Sequence, residues 1–420
     1  MTRFRNSGRI DPNAFGGYVG DGNADATTAL TRSINLFNES NNVNDVLDLA
    51  GHTYRINGLL PAITRSGGHI EGAGATFEQL SGDRVITFGD PGTRCEDVDV
   101  TNLDVAYPGG GGDLNQPAVW FRHTGDVGWS GGEFTGIARL ARFGDGELTA
   151  ARTTLQNVES SLGPNGLTQI GVIWIESARS IRLDDVHCNG TGASSGSMID
   201  IRPTDPEGFV DTVTIDESSF QSWLPGSLTD GKQQGLRIDM RVGKVTNVNV
   251  KTTVLDHTSD SGVLIIGGVS DSVRRFHFLD LRTDADNGSM YRIDWRSGAS
   301  LESVVIADGF GFVQSADHAI EVIGDAAGLA GLTVRDMSIA SVGAAVKPSA
   351  IRAAGRHVSI HDNKVFRTSE SGANTNFAAL VELDQNTNVF TVHDNVGDAA
   401  TAIIDPTTTT LKTIHDNIAA

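Results

Sequence analysis

Val358-Ser-Ile-His-Asp-Asn363, Phe390-Thr-Val-His-Asp-Asn395 and Thr413-Ile-His-Asp-Asn417 are one phrase written three times. Apolar and polar residues alternate, and an Asp–Asn pair closes each copy. Alternation with period two is the pattern of a strand with one buried face. The Asp that follows suits a bend, because its short side chain bonds nearby backbone and tolerates a positive φ.

Earlier copies keep the pattern and vary the residues. They are Leu332-Thr-Val-Arg-Asp336, Val304-Val-Ile-Ala-Asp308, Phe276-His-Phe-Leu-Asp280, Val248-Asn-Val-Lys-Thr252, Val213-Thr-Ile-Asp-Glu217, Ile181-Arg-Leu-Asp-Asp185 and Thr153-Thr-Leu-Gln-Asn157. Weaker copies begin at Val127, Val98 and Ile70. About 13 copies lie 22 to 35 residues apart, often 28. That spacing predicts one coil of a parallel β-helix per copy, each adding short strands to stacked sheets. Like positions then form vertical files, and Val213, Val248 and Phe276 are expected to share one.

A second apolar strand follows in each coil: Val119-Trp-Phe121, Val172-Ile-Trp-Ile175, Ile199-Asp-Ile201, Ile238-Asp-Met240, Leu264-Ile-Ile266, Ile293-Asp-Trp295, Ile320-Glu-Val322 and Val381-Glu-Leu383. Turns between strands account for the 50 glycines. A propeller would need about four strands per 40 to 50 residues and a blade motif, and neither is present.

Upstream of the coils, Asp25 is placed to cap a helix on which Leu30, Ile34 and Phe37 share one face. A stack of coils exposes core and backbone at its open end, so a capping helix there has a physical purpose. The stretch Phe15-Gly-Gly-Tyr-Val-Gly-Asp-Gly22, with Asp25, Ala29-Leu30 and Gly51-His-Thr-Tyr54-Arg-Ile56, resembles the opening of right-handed parallel β-helix proteins of the pectate-lyase-like superfamily. It is most similar to virus tailspikes and surface depolymerases. Asp48-Leu49-Ala50 replaces their usual proline segment. The motif covers residues 11–56, and the coil pattern extends the likeness to the C-terminus. The expected fold is all-β: a single right-handed parallel β-helix. Its parts are a basic arm over 1–10, a cap over 11–60 and coils over 61–420.

Acids outnumber bases 52 to 32, for a net charge of −20, which disfavours nucleic acid. The acids are 38 Asp to 14 Glu and the bases 26 Arg to 6 Lys, an imbalance expected of a salt-adapted surface. Cys95 and Cys188 cannot make a disulfide framework or a four-thiolate metal site, and are expected in or near the core. The first ten residues carry Arg3, Arg5 and Arg9 without an apolar stretch, so no secretory leader is read there and no membrane span anywhere.

The superfamily's lyase phrase (R-x-P-x-x-R) and its polygalacturonase set are missing. Asp184-Asp185 is an acidic pair without the companions such a set needs. The best candidate catalytic surface is the second-strand column, Asp200, Asp239, Asp294 and Glu321, with Arg202, Arg241 and Arg296 two residues after the aspartates. Residues two apart on a strand share a face, and coils stack about 4.8 Å apart. Carboxylates one or two coils apart would then approach glycosidase separations. Ile265 interrupts the column. Trp120, Trp174, Trp223 and Trp295 are candidate sugar-stacking residues. The plainer expectation is a ladder of Asp–Arg pairs that offsets repulsion between coils.

His361, His393 and His415 should stack in one outward slot, as a polar ladder and not a metal site. The acidic bend column, Asp185 to Asp416, is expected to satisfy turn amides. No cofactor or metal is expected. The resemblance implies a virion surface protein, tailspike-like or capsid-decorating, that binds host cell-surface glycan or glycoprotein. It implies a homotrimer. The basic arm over residues 1–10, on a body of charge −20, is placed either to dock on other, acidic virion proteins or to fray as a free terminus. The alternative, a depolymerase acting through the acidic face, stays open.

Overall fold

The computed structural model describes residues 8–16, 20–108, 116–162, 171–190, 196–222, 234–258, 260–267, 274–285, 288–295, 301–324, 328–343, 347–368, 377–385, 387–409 and 411–419. These residues form two compact units, one ending at 190 and the other starting at 196. Each is a stack of parallel β-coils, and the fold class is all-β, right-handed parallel β-helix.

In the first unit, the longer sheet runs in parallel register through Val46–Asp48, Ser66–Gln79, Cys95–Ala106, Thr124–Ser130, Ala150–Leu162 and Ala178–Gly190. A second sheet stacks Ile86–Phe88, Val119–Phe121, Ala141–Phe143 and Ile173–Ile175. Its inward file is aromatic: Phe88 stacks on Phe121 at 5.3 Å, and Phe121 on Phe143 at 4.9 Å. Each fully buried apolar side chain in such a file contributes about 1.5–3 kcal/mol.

The helix Thr27–Glu39 buries Ala29, Leu30, Ile34 and Phe37. Its N-cap is Ala26, and Asp25 serves from one residue earlier by accepting from the Thr27 N–H at 2.9 Å. Residues 1–7 of the expected basic arm lie outside the described residues. Arg9 belongs to the fold: Arg9–Ile10 pairs with Val46–Leu47, and its guanidinium bridges Asp48 at 2.7 Å and Glu71 at 2.9 Å.

In the second unit, Val213, Val248, Phe276, Val304, Leu332, Val358 and Phe390 are register partners in one inward file. All are at most 3% exposed. The bend residue that closes each copy is left-handed throughout, from Thr252 at φ 47° to Asp308 at 60°. Just inside that bend, Asn363 donates to Asn395 and Asn395 to Asn417, each at 2.8 Å. After the bend the chain makes a further strand, such as Phe310–Val313 or Ser338–Ser341, which pairs with its counterpart one coil on. Cys95 and Cys188 are buried free thiols, and desolvation pushes both up to about 12.

Candidate functional site

The predicted carboxylates all lie on the second sheet of the second unit, which stacks Ile199–Ile201, Leu236–Asp239, Val263–Ile266, Tyr291–Trp295, Ile320–Gly324, Lys347–Ala353 and Phe377–Leu383. They do not form one column. Asp200 is in register with Arg237, and that file continues through Leu264, Arg292, Glu321, Arg352 and Glu382. Asp239 and Asp294 occupy the neighbouring outward file with Ile266 between them, so the interrupting residue is Ile266 and not Ile265. A two-residue offset separates the expected column into two because it preserves which face each side chain takes.

Both files are rich in ion pairs. Asp239 is 3% exposed and is held by Arg237 at 2.6 Å and Arg241 at 2.7 Å. Burial works to raise its pKa, but donation from Arg241 and Arg237 outweighs this, so the carboxyl stays below its ordinary range. Asp200 is fully buried, 3.3 Å from Arg202. Glu321 lies between Arg292 at 3.7 Å and Arg352 at 3.6 Å, and Arg352 also reaches Asp384 at 3.4 Å. Arg202, Asp239 and Arg241 do come together, with Pro203, Thr204 and Val242, around an open pocket of about 470 Å³. Arg296 and Trp223 lie outside the described residues.

The tryptophans divide. Trp295 is fully buried, so it has no exposed face for a sugar. Trp120 is partly exposed and Trp174 is 7% exposed, both on the first unit's second sheet. Their outward file runs Thr87, Trp120, Arg142, Trp174. The Arg142 guanidinium lies 4.5 Å from the Trp120 ring and 4.1 Å from that of Trp174. Arg122 and Arg84 also approach Trp120, at 4.9 and 5.2 Å. The Trp120 indole N–H is fixed on the Gly144 carbonyl at 2.9 Å. That of Trp174 is buried with no acceptor among the described residues.

These arginines were not among the expected site residues. Their signal is parity: Arg142 stands outward between buried Ala141 and Phe143, and Arg122 follows Trp120 by two.

A polar groove of about 510 Å³ opens on the longer sheet of the same unit, where Gly128 stands in file between Asp99 and Thr154. His69, Thr101, Ser130, Gln156 and Arg152 line it. The expected histidine stack is present, with ring centroids 5.0 and 4.9 Å apart and planes within 10°. Each Nδ1 meets the adjacent aspartate, Asp362, Asp394 or Asp416, at 2.7–2.8 Å. Donor atoms of Asp394, His415 and Asp416 lie within 4.8 Å of one another, all exposed. Of the acidic pair, Asp184 meets Arg182 and Asp185 meets His187.

No protein-family model and no curated relative matches the sequence. Solved structures do match in fold. The tailspike protein of E. coli bacteriophage HK620, in complex with a pentasaccharide, aligns over 95% of this chain and 67% of its own, with TM-score 0.56 and 13% identity. A DFA-IIIase from Arthrobacter chlorophenolicus aligns over 97% and 98%, with TM-score 0.54 and 12% identity. The A-module of a mannuronan C-5 epimerase from Azotobacter vinelandii aligns over 96% and 99%, with TM-score 0.51 and 11% identity. By fold, then, the chain is a right-handed parallel β-helix protein.

Proposed function

We propose that this chain is a surface attachment protein that holds host cell-surface glycan on an outer β-helix face without cutting it. The observation that carries the reading is the partly exposed Trp120 with Arg142, Arg122 and Arg84 around its ring, an aromatic and guanidinium surface fixed on rigid strands. Indole and guanidinium groups held in place suit sugar recognition, because little side-chain freedom is lost on binding. The arginine clamps on Asp239 and Glu321 favour binding over cleavage. A glycosidase acid needs a raised pKa, and Asp239 is held low.

The chain serves on a virion, as a tailspike-like or capsid-decorating homotrimer of a salt-adapted virus. The N-terminal phrase, the Asp-rich and Lys-poor composition and the shared fold support this reading. Among the described residues no helix is long and apolar enough to cross a membrane.

A glycan array probed with the full chain tests the proposal. Binding that Trp120→Ala weakens at least tenfold, with no release of reducing ends from the bound glycan, is the expected result. Release of reducing ends that Asp239→Asn abolishes would establish the depolymerase reading in its place.

A further inference from the structure

We propose that the Trp120 face selects glycans bearing anionic groups, with Arg84 as the cation that receives the ligand's carboxylate or sulfate. The inference rests on the reading of this face as a glycan site and adds the class of glycan. Three guanidiniums surround the Trp120 ring, and their charges are not equally balanced. Arg122 is answered by Asp145 at 2.6 Å. Arg142 is answered by Glu176 at 2.5 Å, a carboxylate with only 4% of its side chain exposed. Among the described residues, Arg84 donates only to neutral acceptors, Thr87 Oγ1 at 2.8 Å and Gln116 Oε1 at 3.3 Å. No carboxylate among the described residues lies within ion-pair distance of it.

Holding a half-buried cation with no direct carboxylate contact among the described residues is costly. Burial and the like charge of Arg122 both lower the proton affinity of Arg84, and Asp83 only partly opposes them. A chain of net charge −20 has no general excess of basic surface to explain such a group. An anionic ligand supplies the missing charge, and a neutral one leaves it unanswered. Arginine also suits the task in shape, since its planar fork meets a carboxylate or sulfate in two parallel hydrogen bonds. Packing near an indole holds that fork in place.

The test measures binding of the full chain to three polymers: polygalacturonate for carboxylate, heparin for sulfate and dextran as the neutral control. The wild-type chain should bind at least one acidic polymer at least tenfold more tightly than dextran. Arg84→Gln should remove that preference with the melting transition retained, and Arg84→Lys should restore only part of it. Preference for one acidic polymer over the other identifies the group and supports the proposal. Equal binding of all three polymers, lost in Trp120→Ala, would leave the attachment reading standing and overturn the anionic one. An acidic preference unchanged in Arg84→Gln would also overturn it. Glycan-array binding that Trp120→Ala leaves intact would remove the attachment face itself.

Discussion

Asp200 lies beside Arg237 on the neighbouring coil, and the outward file they begin goes on through Leu264, Arg292, Glu321, Arg352 and Glu382. Acid and base alternate along it with one apolar interruption. Stacked coils place like positions about 4.8 Å apart, so an all-acid file would repel itself at every step. Alternation turns that repulsion into attraction, and it explains why this Asp-rich chain keeps arginine on this face.

Arg352 is the most connected member, with Glu321 at 3.6 Å, Glu382 at 3.9 Å and Asp384 at 3.4 Å. Arg352→Ala leaves three carboxylates facing one another. The side chain is 31% exposed, so the loss should be modest, about 1 kcal/mol in dilute buffer. In 1 M salt, where the screening length is about 3 Å, most of that loss should vanish. Urea unfolding at both salt levels measures it. A loss unchanged by salt would show that packing, not charge, is what Arg352 supplies.

Asp239 makes stability depend on pH in a stated direction. Its folded pKa lies below the unfolded value of about 3.9. Its contribution is therefore complete above about pH 4 and is lost as pH falls through the lowered folded value. Asp239→Asn should cost about 2 kcal/mol at pH 7, less than for a fully buried pair because Arg241 is 58% exposed. The gap between variant and wild type should close below pH 4. Denaturant midpoints at pH 7 and pH 3 report both halves.

Much of this architecture is legible in the sequence. The inward file from Val213 to Phe390, the left-handed bend and the histidine stack follow from period-two alternation and one recurring turn residue. Register was not legible. Sliding Ile199–Ile201 by two residues keeps every side chain on its face, so the alternation that revealed the strands could not say whether Asp200 meets Asp239 or Arg237. Trp295 was a different case, because parity alone places it inward: Ile293 is buried, Asp294 faces out and Trp295 is again buried. Arg84 carried no signal, since its importance depends on which carboxylates fail to reach it.

Thr252 occupies the left-handed bend at φ 47°, where its counterparts are mostly Asp. A β-branched residue is poorly suited to positive φ, whereas Asn adopts it readily. Thr252→Asn should stabilise the chain by about 1 kcal/mol, read as a raised unfolding midpoint. A lowered midpoint would mean that the Thr252 side chain makes a contact worth more than the backbone strain.

The asparagine file should be among the least replaceable features of the second unit. Asn395 is 2% exposed; its amide donates to the carbonyls of Ile360 and His393 and to Asn417, and its oxygen accepts from Asn363. Asn395→Ala takes their partner from the buried Asn363 amide and the Ile360 carbonyl on the preceding coil, while the half-buried Asn417 oxygen keeps the Asn395 backbone N–H. Each such group costs about 1–3 kcal/mol, so a loss of about 3 kcal/mol is expected. Asn395→Asp restores the acceptor alone and should recover little.

Trp120 and Trp295 give opposite predictions, although both stand in second-strand phrases. Trp295 is fully buried, and a Cβ on Gly267 would come within 2.3 Å of its ring, so Gly267 is the residue that makes room for it. Trp295→Ala opens a cavity in packed core and should cost about 3–5 kcal/mol, while glycan binding by the protein that remains folded is unchanged. Gly267→Ala should destabilise by the same route, because the ring cannot retreat without disturbing its packing. Trp120→Ala should cost far less stability, because the ring is partly exposed, and should weaken binding at least tenfold. Melting curves and glycan affinity measured on the same preparations separate the two. If Trp295→Ala lost binding at full stability, the attachment surface would have to be sought on the second unit instead.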